Sequence, residues 1–94
     1  MDKIEINENA RKFILDKKVD AITIKMERAG GWFGCTYMPT VNVGTPRDTR
    51  EYDSYEIDGI KVYVSPSVNI EDGLRVVTSG FMFLKGLAVV PIKS

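Results

Sequence analysis

The spacing of apolar residues changes period along the chain. Ile4-Glu5-Ile6 alternates, which predicts a short first strand. Asn7 follows with a side chain able to accept from orphan backbone N–H groups, as a helix N-cap does. Ala10, Phe13, Ile14 and the stem of Lys17 recur at helical spacing and predict a helix over about residues 8–18. Glu8 at its start and Lys17-Lys18 at its end suit the helix dipole. The period returns to two over residues 21–27. Ile22, Ile24 and Met26 point one way, and Thr23, Lys25 and Glu27 the other, which predicts a half-buried strand. Gly30-Gly31 reads as a break, followed by a loop holding Cys35 and an extended segment over residues 39–43.

The second half alternates more densely. Asp58-Gly59 between Tyr55-Glu56-Ile57 and Ile60-Lys61-Val62-Tyr63-Val64 supplies the positive φ values of a two-residue hairpin turn. Residues 47–53 read as a solvated loop, Ser65-Pro66-Ser67 as a break and Glu71-Asp72-Gly73 as a second turn. Residues 74–78, 80–84 and 87–91 read as late strands. Many short strands and one helix predict a mainly β fold. Phe13, Ile14, Ile22, Ile24, Ile60, Val62 and Phe81 are the expected core.

Composition narrows the classes. The 94 residues suit one domain over 1–94, and 44% hydrophobic content argues against disorder. Thirteen basic and thirteen acidic side chains cancel, so no general field attracts nucleic acid or an anionic membrane. The N-terminus has no apolar h-region, and no apolar run reaches the ~20 residues of a membrane helix. One cysteine forms no internal disulfide, so a cytoplasmic, reducing setting is expected.

Cys35 is the only cysteine, and histidine is absent. Every metal, redox or thiol reading therefore passes through it. Its surroundings, Gly30-Gly31-Trp32-Phe33-Gly34-Cys35, offer backbone N–H groups that could lower a thiol pKa, with Arg28 nearby in sequence. The competing reading is a small buried apolar side chain. Trp32 and Phe33 are either core plugs or an exposed patch that meets a partner. The glycine run lacks the Lys-Ser/Thr of a P-loop. Its Gly31-x-x-Gly34 spacing lacks the basic residues and flanking helices of a KH loop. Asp48, Glu51, Asp53, Glu56 and Asp58 form a carboxylate-rich stretch that reads as solvated surface and misses the spacing of a calcium loop.

The order of these pieces resembles the HesB-like family, which includes the A-type iron–sulfur carriers. Ile4 and Ile6, Ala10, the Ile22/Ile24 strand, Gly34-Cys35 with Tyr37, Asp58-Gly59-Ile60-x-Val62 and Gly80-Phe81 carry the likeness. It implies a compact, barrel-like β structure with an N-terminal helix. The A-type carriers add a C-terminal Cys-Gly-Cys run, which this chain lacks. A HesB-like branch that includes selenoproteins is more similar. Tyr37-Met38-Pro39-Thr40-Val41, Gly44-Thr45-Pro46 and Tyr55-Glu56-Ile57-Asp58-Gly59-Ile60 match its segments. Its reactive position falls at Trp32, Phe33 or Cys35.

The resemblance implies an accessory protein of iron–sulfur or thiol redox metabolism, non-catalytic or weakly redox-active, acting through Cys35. Cys35 would be the cofactor and metal ligand. An isolated monomer would hold no cluster, because one thiol falls short of the four ligands such clusters take. A cluster would need a homodimer and external thiols. Thiol or iron–sulfur assembly proteins are the implied partners. The alternative is a degenerate structural or interaction module, with Trp32 and Phe33 at a self-association surface.

Overall fold

The computed structural model describes residues 3–31, 34–81 and 84–92. Strand β1 (Ile4–Ile6) leads into helix α1 (Glu8–Asp16). Strands β2 (Ala21–Gly31) and β3 (Gly34–Val43) form a long hairpin. A connection with a short 3-10 turn at Thr49–Glu51 reaches β4 (Asp53–Ile57) and β5 (Ile60–Val64), and β6 (Leu74–Phe81) and β7 (Leu84–Pro91) follow. One sheet has the order β3-β2-β5-β4, the other β1-β6-β7. The fold is mainly β with one α-helix among the described residues.

Local chemistry explains the elements. The Asn7 side chain accepts from the Asn9 N–H at 2.8 Å, and the Asn7 N–H donates to the Val76 carbonyl at 2.8 Å. The cap thus fixes both the start of α1 and its position beside β6. The helix ends at Asp16, two residues short of the expected end, because Lys18 turns to φ 60°. Ala10 and Ile14 are fully buried. Phe13, expected in the core, is only half-buried; the Lys17 ammonium lies 5.2 Å above its ring at the helix edge. The Asp58-Gly59 turn forms as expected, with φ 51° and 83°.

Three boundaries differ from the sequence expectation. β2 runs through Gly30-Gly31, and β3 begins at Gly34, so Cys35 lies in a strand and not in an open loop. A ladder of backbone partners from Ile22↔Val43 to Gly31↔Gly34 holds this arm together, outweighing the weak strand preference of glycine. Among the described residues the late strands number two, since β6 continues to Phe81 and β7 starts at Leu84. Asp53 belongs to β4 and not to the preceding connection.

The direction of each backbone group follows from a few bonds. Gly44 N–H donates to the Ala21 carbonyl, whereas the Ile24 carbonyl accepts from Ser65 N–H at the end of β5. Odd residues of β2 therefore bond to β3, and even residues to β5. Met26↔Pro39 is then a non-hydrogen-bonded pair, so Pro39 costs the ladder nothing and only blanks the outer edge. Pro91 plays the same part on β7: Ile92 N–H donates to Gly73 O, leaving Leu74↔Pro91 non-hydrogen-bonded.

No closed barrel forms among the described residues. β3 lies alongside β7, and β1 alongside β4, but neither seam is a hydrogen-bonded ladder. The core fills the space between the sheets and α1. Ile4, Ile14, Ile22, Ile24, Ile60, Val62 and Val76 are its fully buried large side chains. Ile14, Ile22, Ile24, Ile60 and Val62 confirm the sequence reading; the Phe81 side chain lies outside the described residues. Val41, Leu87 and Val89 pack on the core from the seam strands.

Candidate functional site

The candidate site sits on the distal half of the β2–β3 hairpin. The two strands leave the core together. Ala21 to Ile24 are buried, Lys25 to Glu27 half-buried and Arg28 exposed. β3 is half-buried only in its middle: Pro39, Thr40 and Val41 are half-buried, whereas Gly34, Thr36, Tyr37 and Met38 at its distal end and Asn42 and Val43 at its base are exposed. Tyr37 is 66% exposed and Met38 48%, both high for large apolar side chains.

Cys35 takes its place in this arm as the second residue of β3, with its backbone opposite Gly30. Arg28 stands opposite Tyr37, one ladder step on from the Gly30–Cys35 pair in the same alternating set. Gly31 and Gly34 face each other in the ladder. Their amide groups are spent on pairing, so the expected cradle of glycine N–H groups around a thiolate is not built from them. Trp32 and Phe33, the interface candidates, lie outside the described residues.

The carboxylates do not converge. The Asp48 side chain accepts from Arg50 N–H at 3.1 Å and pairs with the Arg50 guanidinium at 3.2 Å, capping the 3-10 turn. Asp58 shapes the β4–β5 turn, and its carbonyl accepts from Arg11 Nε at 3.4 Å. Glu51, Asp53 and Glu56 are exposed. Among the described residues no group of three or more His, Cys, Asp or Glu is placed to hold a metal ion. One chain therefore does not fit a metal cluster on the ligands described.

Sequence reasoning missed a polar cleft of about 510 Å³ on the solvent side of the β2–β3 base. Lys25, Glu27 and Asn42 form its floor, and the connection carrying Arg47, Glu51 and Tyr52 forms its wall. Its floor is internally committed: Lys25 Nζ lies 3.6 Å from Glu27 Oε1, which also accepts from Asn42 Nδ2 at 3.5 Å. Beneath them the buried Thr23 hydroxyl donates to the Gly44 carbonyl at 2.9 Å and ties the connection down. The alternation over residues 21–27 signals this polar face, but not the segment that folds over it.

No helix is long and apolar enough to cross a membrane among the described residues. The family model of the CC/Se motif containing family matches residues 2–92, and the chain belongs to that family. No curated protein matches the chain, and no solved structure does.

Proposed function

We propose that this member of the CC/Se motif containing family is an accessory protein of thiol redox or iron–sulfur metabolism that acts through Cys35. The single observation carrying this reading is the match to a family named for a CC/Se motif by a chain whose only cysteine lies in the β2–β3 hairpin. With one cysteine the chain carries no CC pair of its own. The chemistry open to it is stoichiometric exchange with another molecule's thiols. The Cys35 thiolate attacks a partner disulfide, a mixed disulfide forms, and the displaced sulfur leaves as a thiolate. A second external thiol reverses the step, so no further oxidant is required. The HesB-like relationship and its barrel-like architecture are part of the same proposal, supported by the order of the elements along the chain.

The test is the reaction of native Cys35 with an aromatic disulfide reagent, compared with the unfolded chain. A native rate equal to or above the unfolded rate supports thiol chemistry. A rate suppressed by about 100-fold or more marks an occluded sulfur and overturns it. Anaerobic treatment with iron and sulfide is expected to leave the monomer without a cluster, because one chain supplies a single soft ligand. A stable cluster in a verified monomer, or one surviving Cys35→Ser, contradicts that ligand count.

A second reading is a structural or interaction module with no redox role. The same lone cysteine favours it, because the family model matches residues 2–92 although the chain has no CC pair. Negligible native thiol reactivity combined with self-association would select it.

A further inference from the structure

We propose that the polar cleft between the β2–β3 base and the 44–52 connection binds a free α-amino acid as its zwitterion, with the ligand carboxylate on Lys25 and its ammonium on Glu27. The cleft measures about 510 Å³, inside the range of about 300–1,000 Å³ of small-molecule sites. Its wall is formed without a ligand. The buried Thr23 hydroxyl fastens the start of the connection by donating to the Gly44 carbonyl at 2.9 Å. Asp48 caps the 3-10 turn in its middle, accepting from Arg50 N–H at 3.1 Å. Pro46, Asp48 and Tyr52 are half-buried, as a segment packed on the sheet requires.

The floor selects the ligand. Lys25 and Glu27 alternate along β2 with Ile24 and Met26, which pack on the core, so both stand on the solvent face. Their charged ends lie 3.6 Å apart, and each side chain is nearly half exposed, at 43% and 45%. A lone anion must draw Lys25 away from Glu27, and a lone cation must draw Glu27 away from Lys25. Either leaves one charge of the couple without its partner. A ligand with both charges on neighbouring atoms lies head to tail across the couple and leaves it intact. In an α-amino acid the ammonium nitrogen and the nearer carboxylate oxygen are about 3 Å apart from bond lengths alone, close to the spacing of the couple. Both contacts are then charge-assisted hydrogen bonds. A peptide fails this match, because each added residue separates its two termini by up to about 3.3–3.6 Å more.

The charge balance of the lining agrees. Asp48 is neutralised by the Arg50 guanidinium at 3.2 Å, which leaves Lys25 and Arg47 against Glu27 and Glu51. A ligand without net charge keeps that balance, whereas a net anion or cation upsets it. A neutral polyol keeps it too, but forms no charge-assisted bonds. Val43, Pro46 and Tyr52 supply apolar surface for the ligand's side chain. The cleft is shallow at the couple, so binding is weak and exchanging. Cys35 stands near the far end of β3 from Asn42 and Val43, and the site goes beyond the thiol reading and does not depend on it.

Backbone amide NMR of the whole chain, titrated with L-alanine at constant ionic strength, tests it. The amides of Lys25, Glu27 and Asn42 are expected to shift saturably, with a Kd of about 1–10 mM. N-acetyl-L-alanine keeps only the carboxylate and L-alaninamide only the ammonium; each should bind at least about tenfold more weakly. Lys25→Gln and Glu27→Gln, both surface changes, should each weaken L-alanine binding at least about tenfold, with the rest of the spectrum unchanged. If one variant fails to fold, the other and the two blocked ligands decide the matter. The proposal is overturned by the absence of a saturable shift up to about 100 mM L-alanine. Equal binding of either blocked form, or of glucose, overturns it as well, because the zwitterion would then not be what is recognised. So does undiminished binding by the folded glutamine variants, which would place the ligand elsewhere.

Discussion

Strand β2 belongs to two different environments. Its first residues, Ala21 to Ile24, lie between β3 and β5 and beneath the core, with Ile22 and Ile24 fully buried. Its later residues leave β5 behind after Ile24 and, among the described residues, keep β3 as their only ladder partner. The base gains from burial on both faces and hydrogen bonds along both edges. The arm has one bonded edge and little cover. Burial holds the fold at the base, and the lightly covered arm is where change is tolerated and partners can reach. Cys35 belongs to the arm.

The largest expected effect comes from the base. Ile24→Ala removes a fully buried side chain from the middle strand pair and should cost about 2–5 kcal/mol, depending on how far the site collapses. Urea denaturation measures it; a loss below about 0.5 kcal/mol would mean the base is not the keystone described.

Gly73→Ala comes next. Gly73 holds φ 78° ahead of β6, and an added Cβ would stand 2.8 Å from Ile92 Cδ1. A left-handed backbone alone costs a non-glycine residue about 1–2 kcal/mol, and the close approach adds to that. A lowered thermal midpoint is the readout, and an unchanged one would show that the turn relaxes freely.

Thr23→Val keeps the shape of a buried side chain but removes its bond to the Gly44 carbonyl. A loss of about 1 kcal/mol is expected, with faster proteolysis in the 44–52 connection as that segment loosens. Smallest is Tyr37→Ser on the arm. It should change stability by no more than about 0.5 kcal/mol, since the side chain is 66% exposed. A larger loss would show that the arm is packed after all and would erase the contrast with the base.

Some of this was legible in the chain alone. The period-two run through Ile22 and Ile24, the helical stripe of Ala10 and Ile14, and Asp58-Gly59 each act through neighbours in sequence. Alternation, spacing and turn chemistry therefore identify them before any tertiary contact is known. The lack of any second cysteine or of histidine, which limits each metal or thiol reading to Cys35, is likewise a property of composition. What tertiary structure decided is of another kind. Gly30-Gly31 reads as a break because glycine has little strand preference, yet cross-strand pairing carries β2 through it. Phe13 fits the apolar stripe but is only half-buried, because the packing of α1 against β6 selects which part of the stripe faces the core, and Ala10 and Ile14 occupy it. The pairing of β1 with β6, parallel and between opposite ends of the chain, has no local signature at all. Nor has the outward direction of the Pro39 nitrogen, which depends on which β2 residues β5 claims. Both are long-range choices, made by which edges and apolar faces the collapsed chain can bring together.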